Sequence, residues 1–315
     1  AAQLDTAIAL ANAHPDVVDV LIVGNEVLLR RERTAAEMRA LLDDARTRAQ
    51  VPVTYADVWE FWLQNRELAA AVDRVTVHIL PFWEDHPVGI DDAVDHVGSV
   101  LAEVRAAFDK PVMIGETGWP SAGRQRQAAR PAQVNQARFI REWVNVARIH
   151  QFDYYIIEAF DQPWKIGEEG IVGAYWGLYD ADRQPKFSWK NPVSELPDWP
   201  LWATIAVFIG LIPTIVYLRA RGELKLPGRA VFAATFQGAG TAITMAMLIP
   251  AMRYLGAGEI AAWAVLIMLQ VLLFTAVAGD MVELIDVIWR KNRRLPQPRL
   301  AGTDMTRLPK VSIHV

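Results

Sequence analysis

Two glutamates in this chain occur in matching settings, each at the end of a short apolar run. Glu26 follows the run in VLIVGNEV and Glu116 follows the run in VMIGETGW, so a glycine stands one or two residues before each carboxylate. Cleavage of a glycosidic bond needs one carboxylic acid to protonate the departing oxygen and one carboxylate to attack or stabilise the anomeric carbon. The two settings therefore predict a carbohydrate-processing pair, with the Asn25 amide as a donor to a sugar hydroxyl near the reacting carbon.

Other chemistries find less support in the residues. The six histidines show no metal-ligand spacing, a G-x-S-x-G elbow is absent, and no glycine-rich phosphate loop follows an apolar run. The chain has no cysteine, which excludes disulfides and thiolate metal sites. Its 315 residues carry a formal net charge of −4, so the composition offers no general basic face for nucleic acid. We predict no metal, no other cofactor and no nucleic-acid partner.

The elements that must position the two glutamates are short strands separated by helical segments. Runs rich in β-branched and aromatic residues, bounded by Pro, Asp or Gly, predict strands at 17–24, 51–57, 74–80, 111–115 and 153–160. Apolar spacings of three and four residues predict helices at 3–13, 34–49, 91–108, 132–150 and, more weakly, 60–72. Thr34 before Glu37 predicts a capping box. Such alternation is typical of a parallel sheet covered by helices, either doubly wound or a (β/α)8 barrel.

The positions of the polar residues favour the barrel. Polar or aromatic side chains fall at or just beyond the ends of five different strands: Glu26, Asp57 or Trp59, His78, Glu116 and Glu158. Barrel enzymes gather their catalytic groups at that face. A barrel has eight strands and only five fit before the apolar part of the chain begins, so we expect three further strands upstream of Ala1.

Four motifs together resemble a known family. VGNEV, ILPFWE, IGETGWPS and EAFDQPWK look like glycoside hydrolase family 17, the retaining β-1,3-glucanases and glucan transglucosylases built on a (β/α)8 barrel. The resemblance covers residues 1 to about 190 and implies an α/β fold, a partial TIM barrel containing strands 4 to 8. It also implies that Glu26 is the acid/base, that Glu116 is the nucleophile, and that the substrate is a β-glucan oligosaccharide or polysaccharide.

The resemblance also suggests residues that bind the substrate. Asp161, Trp164 and Lys165 fall on the motif of the eighth strand, where Gln162 replaces an acidic residue often seen in the family. Glu158 begins the same motif, and His78 stands where a polar residue lines the cleft. Sugar rings stack on aromatic faces, and many of the 12 tryptophans lie near predicted strand ends. The predicted binding residues are therefore Asn25, His78, Trp83, Trp119, Glu158, Asp161, Trp164 and Lys165.

The second half of the chain has a different composition. After the predicted barrel domain at 1–196, residues 197–289 contain three uncharged runs at about 201–218, 230–252 and 260–279, each near the roughly 20 residues that span a bilayer. We predict an all-α segment of three transmembrane helices in contact with lipid. Met281, Leu284, Ile285 and Ile288 share one helical face and predict either an interfacial helix or a continuation of the third span.

The cations between the spans predict an orientation. Four lie after the first span, one after the second and four after the third: Arg219, Arg221, Lys225 and Arg229; Arg253; Arg290, Lys291, Arg293 and Arg294. The positive-inside rule then places the first loop and the C-terminus in the cytoplasm. We expect a multi-pass protein of a bacterial inner membrane, with the barrel on the periplasmic side and an export signal or anchor upstream of Ala1.

The C-terminal segment, 290–315, reads as a basic cytoplasmic linker followed by one strand. PKVSIHV alternates apolar and polar residues and resembles the opening strand of a family 2 glycosyltransferase. Three functions remain open on the sequence: a membrane-anchored retaining β-1,3-glucan hydrolase or transglucosylase, a fragment of a bifunctional β-glucan synthase, and a non-catalytic glucan-binding domain. UDP-glucose is a partner only if a transferase domain follows Val315.

Overall fold

A computed structural model of the protein describes residues 2–220 and 222–289. The chain divides into two compact units after Pro197. The first unit contains a parallel sheet with helices, and the second unit contains three long helices. The predicted basic linker and strand at 290–315, and Arg221 in the first loop, lie outside the described residues.

The sheet of the first unit contains five parallel strands in sequential order. They are β1 (Leu21–Asn25), β2 (Val53–Val58), β3 (Val75–His78), β4 (Val112–Thr117) and β5 (Tyr154–Ile156). Each strand pairs with the next one along the chain. A doubly wound sheet reverses its order at a switch point, whereas a barrel does not. The order therefore confirms the barrel type of α/β fold, and within the described residues β1 and β5 form the two edges of the sheet.

Helices connect the strands. They are α1 (Ala2–Ala13), α2 (Ala35–Arg48), α3 (Trp59–Gln64), α4 (Ala93–Ala107), α5 (Gln133–His150) and α6 (Ile166–Glu169), with short 3-10 turns at Arg66–Ala71, Pro163–Lys165 and Ile171–Ala174. Thr34 caps α2 with the predicted capping box, in which its side chain and that of Glu37 satisfy each other's backbone N–H groups. Apolar faces of these helices and the strand interiors form one continuous core, which contains Leu42, Val77 and Trp143.

Two predicted strands extend four residues beyond the observed ones, β1 at its start and β5 at its end. β1 begins at Leu21 rather than at Val17 because Val17 and Val18 donate to the carbonyl of His14, which makes a turn after α1. β5 ends at Ile156 because the segment beyond it pairs with residues 176–179 instead. There Glu158 donates to Trp176 and Leu178 donates back to Glu158. This second pairing positions the chain around Glu158 beside the end of β4.

The second unit contains α7 (Trp199–Ala220), α8 (Leu226–Ala251) and α9 (Ala257–Trp289), each long and apolar enough to cross a membrane. Residues 281–288 continue α9 without a break, which makes this helix about 50 Å long against about 30 Å of hydrocarbon. Close packing of α7 on α8 uses small residues, because a Cβ on Gly240 would lie 2.7 Å from the backbone nitrogen of Gly210.

Candidate active site

The carboxyl ends of β1 and β4 bring the two predicted catalytic glutamates together. One carboxylate oxygen of Glu26, one of Glu116 and a ring nitrogen of His78 all lie within 4.8 Å of one another. Both glutamates line an open cleft of about 760 Å³ at that edge of the sheet. The upper limit of 4.8 Å between these atoms is compatible with the separation of about 5–5.5 Å in retaining glycosidases and lies below the roughly 6.5–9.5 Å that inverting enzymes need to admit a water molecule.

Glycines allow the backbone to deliver these side chains. Gly24 has φ of 85° and Glu26 has φ of 56°, so the chain turns sharply as it leaves β1. Gly115 has no room for a side chain, because a Cβ there would lie 2.7 Å from Thr76 and 2.9 Å from His78. The glycine before each glutamate is therefore required by the local geometry.

Buried polar groups hold the turn that carries Glu26. The Asp57 carboxylate accepts from the backbone N–H groups of Leu28 at 3.1 Å and Leu29 at 3.4 Å. Tyr55 donates its hydroxyl to Asp57 and accepts from Leu28 at 2.9 Å. Asp57 is fully buried, and burial raises the pKa of its carboxyl. A β2 side chain that the sequence placed only at a strand end thus anchors the neighbouring loop.

Arg30 is a cleft residue that the sequence reasoning missed. Its guanidinium Nη2 lies 2.8 Å from Glu26 Oε2. The hydrogen bond with Glu26 raises the pKa of Arg30, and the charges of Glu26, Glu32 and Glu116 add to the effect. Its position four residues after Glu26 was a readable signal, because i and i+4 side chains meet on a helical turn.

Glu116 has a different set of neighbours. Partial burial raises the pKa of its carboxyl to about 7, and the nearby charge of Glu26 adds to this, while Lys165 and a hydrogen bond from Asn25 act in the opposite direction. His78 Nε2 lies 3.8 Å from Glu116 Oε1. Burial, with the charge of Arg30, lowers the pKa of His78 to about 4, so its ring is neutral near pH 7.

The amide of Asn25 links His78 to Glu116. A carboxylate only accepts, so Asn25 turns its NH2 toward Glu116 and its Oδ1 toward His78, where the Oδ1–Nε2 distance is 2.8 Å. His78 must then carry its proton on Nε2. This network assigns the tautomer of His78. Glu26, His78 and Glu116 lie closely enough together to hold a metal ion. In this tautomer, however, Nε2 of His78 has no lone pair to bind one.

His78 was predicted as a substrate-binding residue, and it lines the cleft together with Asn25. Only 2% of it is exposed. Its contact with Asn25 therefore gives it a supporting position in the cleft wall.

The segment after β5 supplies Lys165, Glu168 and Glu169 to the cleft and pairs Glu158 and Asp161 with partners inside the protein. Lys165 lines the cleft and forms an ion pair with Glu158 at 2.8 Å. Gln162 also donates to Glu158. Asp161 instead pairs with Lys186 at 2.7 Å and accepts from the backbone of Gly177 at 2.9 Å, so it fixes the fold of this segment.

The three predicted tryptophans occupy different environments. Trp164 lines the cleft and is 66% exposed, with the Lys165 ammonium 5.8 Å from its ring centroid. Trp83 also lines the cleft, but Trp176 stacks 6.4 Å away and the Arg126 guanidinium lies 5.2 Å from its centroid. Trp119 is completely buried and donates to Arg130 O at 3.1 Å. Trp119 therefore cannot contact a ligand in the cleft.

One wall of the cleft is acidic. Glu60, Glu84 and Asp85 line it. Burial raises the pKa of Glu60 to about 7, helped by the charge of Glu84. Trp59, which the sequence placed only at a strand end, donates its indole N–H to Glu84 at 3.2 Å.

Comparisons with known proteins agree with this geometry. Residues 1–177 match a family model described as BtgE/BtgC glycoside hydrolase domain. A glucan 1,3-beta-glucosidase from Arthroderma benhamiae is 29% identical over 209 residues, which cover 60% of this chain and 68% of that protein. A probable glucan endo-1,3-beta-glucosidase, btgC, from Aspergillus fumigatus is 31% identical over 199 residues, covering 54% of this chain and 28% of that protein.

Solved structures show the same similarity. A glycoside hydrolase family 17 β-1,3-glucanosyltransferase from Rhizomucor miehei has 27% identity and a TM-score of 0.51, over 58% of this chain and 70% of that one. An active-site mutant of the Rhizomucor miehei enzyme in complex with laminaritriose has 26% identity and the same TM-score and coverage. The five strands therefore correspond to part of a family 17 barrel.

Proposed function

The chain belongs to the BtgE/BtgC glycoside hydrolase family, whose members are glycosidases and transglucosylases, and we propose that it acts on β-1,3-glucan through a covalent glucosyl intermediate on Glu116. The resemblance to glycoside hydrolase family 17 is thereby confirmed at the level of the family. The observation that carries the proposal is the pair of carboxylates whose oxygens lie within 4.8 Å at the ends of β1 and β4.

In the first step Glu116 attacks the anomeric carbon from one side of the sugar. The glycosidic C–O bond breaks as the new ester bond forms, and Glu26 transfers its proton to the departing oxygen. The products are a glucosyl ester of Glu116, a shortened glucan and an ionised Glu26. Asn25, between the two carboxylates, is positioned to donate to a sugar hydroxyl next to the reacting carbon.

In the second step Glu26 acts as the base. It takes a proton from water or from a sugar hydroxyl, whose oxygen attacks the anomeric carbon and releases Glu116 as a carboxylate. Water gives hydrolysis and a sugar hydroxyl gives transglycosylation. Relatives carry both kinds of name, a glucosidase in Arthroderma benhamiae and a glucanosyltransferase in Rhizomucor miehei.

The charge state of Glu116 limits the first step. A nucleophile must be ionised, and the pKa of Glu116 is about 7 in the free protein. A raised pKa also suits a general acid, so the motif resemblance, rather than the pKa, is the reason for assigning Glu26 as the acid. Azide distinguishes the two assignments, because azide attacks without needing a base.

The test uses the full chain in detergent with a 2,4-dinitrophenyl β-glycoside of laminaribiose, sodium azide, and NMR to identify the product. Glu26→Ala should retain the nucleophile and give the β-glycosyl azide through two displacements. Glu116→Ala should give the α-glycosyl azide through one displacement. Reversed anomers would exchange the two roles. Failure of both variants to form any glycosyl azide, alongside an active control Glu103→Ala on exposed α4, would refute the proposal.

We also propose that the three apolar helices anchor this enzyme in a bacterial inner membrane, with the hydrolase unit on the periplasmic side. The first support is the length of α7, α8 and α9. The second is that four cations lie in or between the adjoining ends of α7 and α8, whereas one lies between α8 and α9. In spheroplasts, a cysteine introduced at Ser188 should react with a membrane-impermeant maleimide, and one introduced at Gly222 should react only after lysis. The opposite pattern would reverse the topology.

The transferase domain beyond Val315, with UDP-glucose as its donor, stays a prediction from PKVSIHV alone. Sequence beyond Val315 tests it. Aspartates of a nucleotide-sugar site following the next strands would support a bifunctional synthase, and a stop codon would reject it.

A further inference from the structure

We propose that Arg30 is a positioning residue for the acid/base: it holds Oε2 of Glu26, so that Oε1 exchanges the proton, and it stabilises the ionised Glu26 that the second step requires. This inference rests on the proposed double displacement. The observation behind it is the contact of Arg30 with Glu26 at the cleft.

The contact is fixed by the backbone on both sides. Arg30 donates its backbone N–H to Glu26 O at 2.9 Å, and Glu26 donates its own to Ala56 O at 2.9 Å. Asp57, fully buried, holds the N–H groups of Leu28 and Leu29 in the same turn. The two side chains therefore leave one anchored turn, four residues apart, rather than two independent surface loops.

A neighbouring ion pair shows what an ordinary surface contact looks like in this segment. Arg33 and Glu37 are also four residues apart, but their charged atoms are 3.7 Å apart and the two side chains are 58% and 52% exposed. Arg30 is equally exposed at 57%, whereas its partner Glu26 is only 15% exposed and the distance is 2.8 Å. Exposed i, i+4 pairs are weak because water screens their charges, so we expect the loss of the Arg33–Glu37 pair to leave catalysis unchanged.

The charges around Arg30 match this task. Arg30 lies close enough to Glu26 and Glu116 for both carboxylates to raise the pKa of its guanidinium. The charge of Arg30 in turn lowers the pKa of His78. Among the described residues that line the cleft, Lys165 is the second cation, and it is bound to Glu158. When Glu26 loses its proton in the first step, the Arg30 guanidinium stabilises the new negative charge. Because the guanidinium donates to Oε2, Oε1 of Glu26 stays free to face the departing group.

The experiment separates the two half-reactions. With a 2,4-dinitrophenyl β-glycoside of laminaribiose the departing phenolate needs no proton, so the first step does not depend on the acid and the second step limits kcat. In the full chain in detergent, Arg30→Gln should lower kcat about 10-fold, which is a part of the roughly 10²–10⁴-fold that acid–base catalysis supplies. Its kcat/KM should stay within about twofold of the wild-type value. Azide should restore kcat, with the β-glycosyl azide as product.

Two further variants complete the test. Arg30→Lys keeps the charge without the planar fork, so it should recover only part of kcat. Arg33→Gln, matched in residue type, exposure and spacing, should behave as the wild type in every measurement.

The outcomes separate the inference from the proposed function. An unchanged kcat in Arg30→Gln, a fall in kcat/KM alone, or a lowered kcat that azide does not restore would each overturn the role of Arg30. Glu26→Ala in the same assay reports on the proposed function itself. If azide restores Glu26→Ala but not Arg30→Gln, only the inference fails, and if azide restores neither, the proposed double displacement fails as well.

Discussion

The ends of β1 and β4 each present a glutamate to the same cleft, yet they surround it with different groups. At the end of β1 the partner of Glu26 is a guanidinium 2.8 Å away. At the end of β4 the nearest groups of Glu116 are a neutral amide and a neutral imidazole, and partial burial raises its pKa to about 7. The same residue type thus has a cationic partner at one strand end and neutral partners at the other.

The largest effect is expected from removing the charge at the β4 end. Glu116→Gln keeps the size of the side chain but cannot form the ester, so turnover of laminari-oligosaccharides should fall by about 10⁴-fold or more. Turnover within tenfold of the wild type would mean that Glu116 is not the nucleophile. Glu103→Gln, an exposed glutamate on α4, provides the control.

A smaller effect is expected from the imidazole that supports the β4 end. His78→Phe fills the same buried space but leaves Asn25 Oδ1 without its donor, and kcat should fall about 10-fold, the cost of one unmade buried hydrogen bond. His78→Gln can donate to the same oxygen and should recover part of this loss. Equal kcat values for the two variants would separate His78 from the positioning of Asn25.

The pH profile tests the electrostatic side of the comparison. The pKa of Glu116 is raised above the ordinary glutamate value, so the fraction in the reactive, ionised form falls as the pH drops through about 7, and kcat/KM should fall with it. Lys165 lowers this pKa, so Lys165→Gln should move the acidic limb of the profile to higher pH. A limb that does not move, or that moves to lower pH, would contradict the assignment.

The smallest effect concerns the aromatic surface of the cleft. Trp164 is exposed in the cleft and is free to stack on a sugar ring, so Trp164→Ala should raise KM about 5- to 10-fold, the equivalent of 1–1.4 kcal/mol, with little change in kcat. Trp189→Ala is the matched control, because Trp189 is also exposed but does not line the cleft. Equal KM values for the two variants would remove Trp164 from the binding surface.

Local sequence patterns predicted the parts of the fold that depend on local interactions. The capping box of Thr34 and the five strand and helix repeats could be read directly, because each is decided within a few residues. Strand ends were less accurate, since the pairing of Glu158 with Trp176 depends on a segment almost 20 residues away. The sequential order of the strands was implied by the predicted barrel, and the structure confirms it.

The sequence indicated that two glutamates lie at strand ends, but it did not indicate the contacts that surround them. Glu26 and Glu116 could be named because each ends a strand on a distinctive motif. The burial of Trp119 and the pairing of Asp161 with Lys186 could not, because a tryptophan or an aspartate near a strand end looks the same whether it faces the cleft or the core. Asp57 illustrates the same limit, since its partners on the neighbouring loop are not adjacent in sequence.

The configuration of the first-formed product tests the central claim most directly. When laminaripentaose is turned over by the full chain in detergent and the reaction is followed by proton NMR within the first minutes, the new reducing end should appear as the β anomer and convert slowly to the α form. Initial formation of the α anomer would show a single displacement, and it would contradict the account of Glu116 as nucleophile and Glu26 as acid/base.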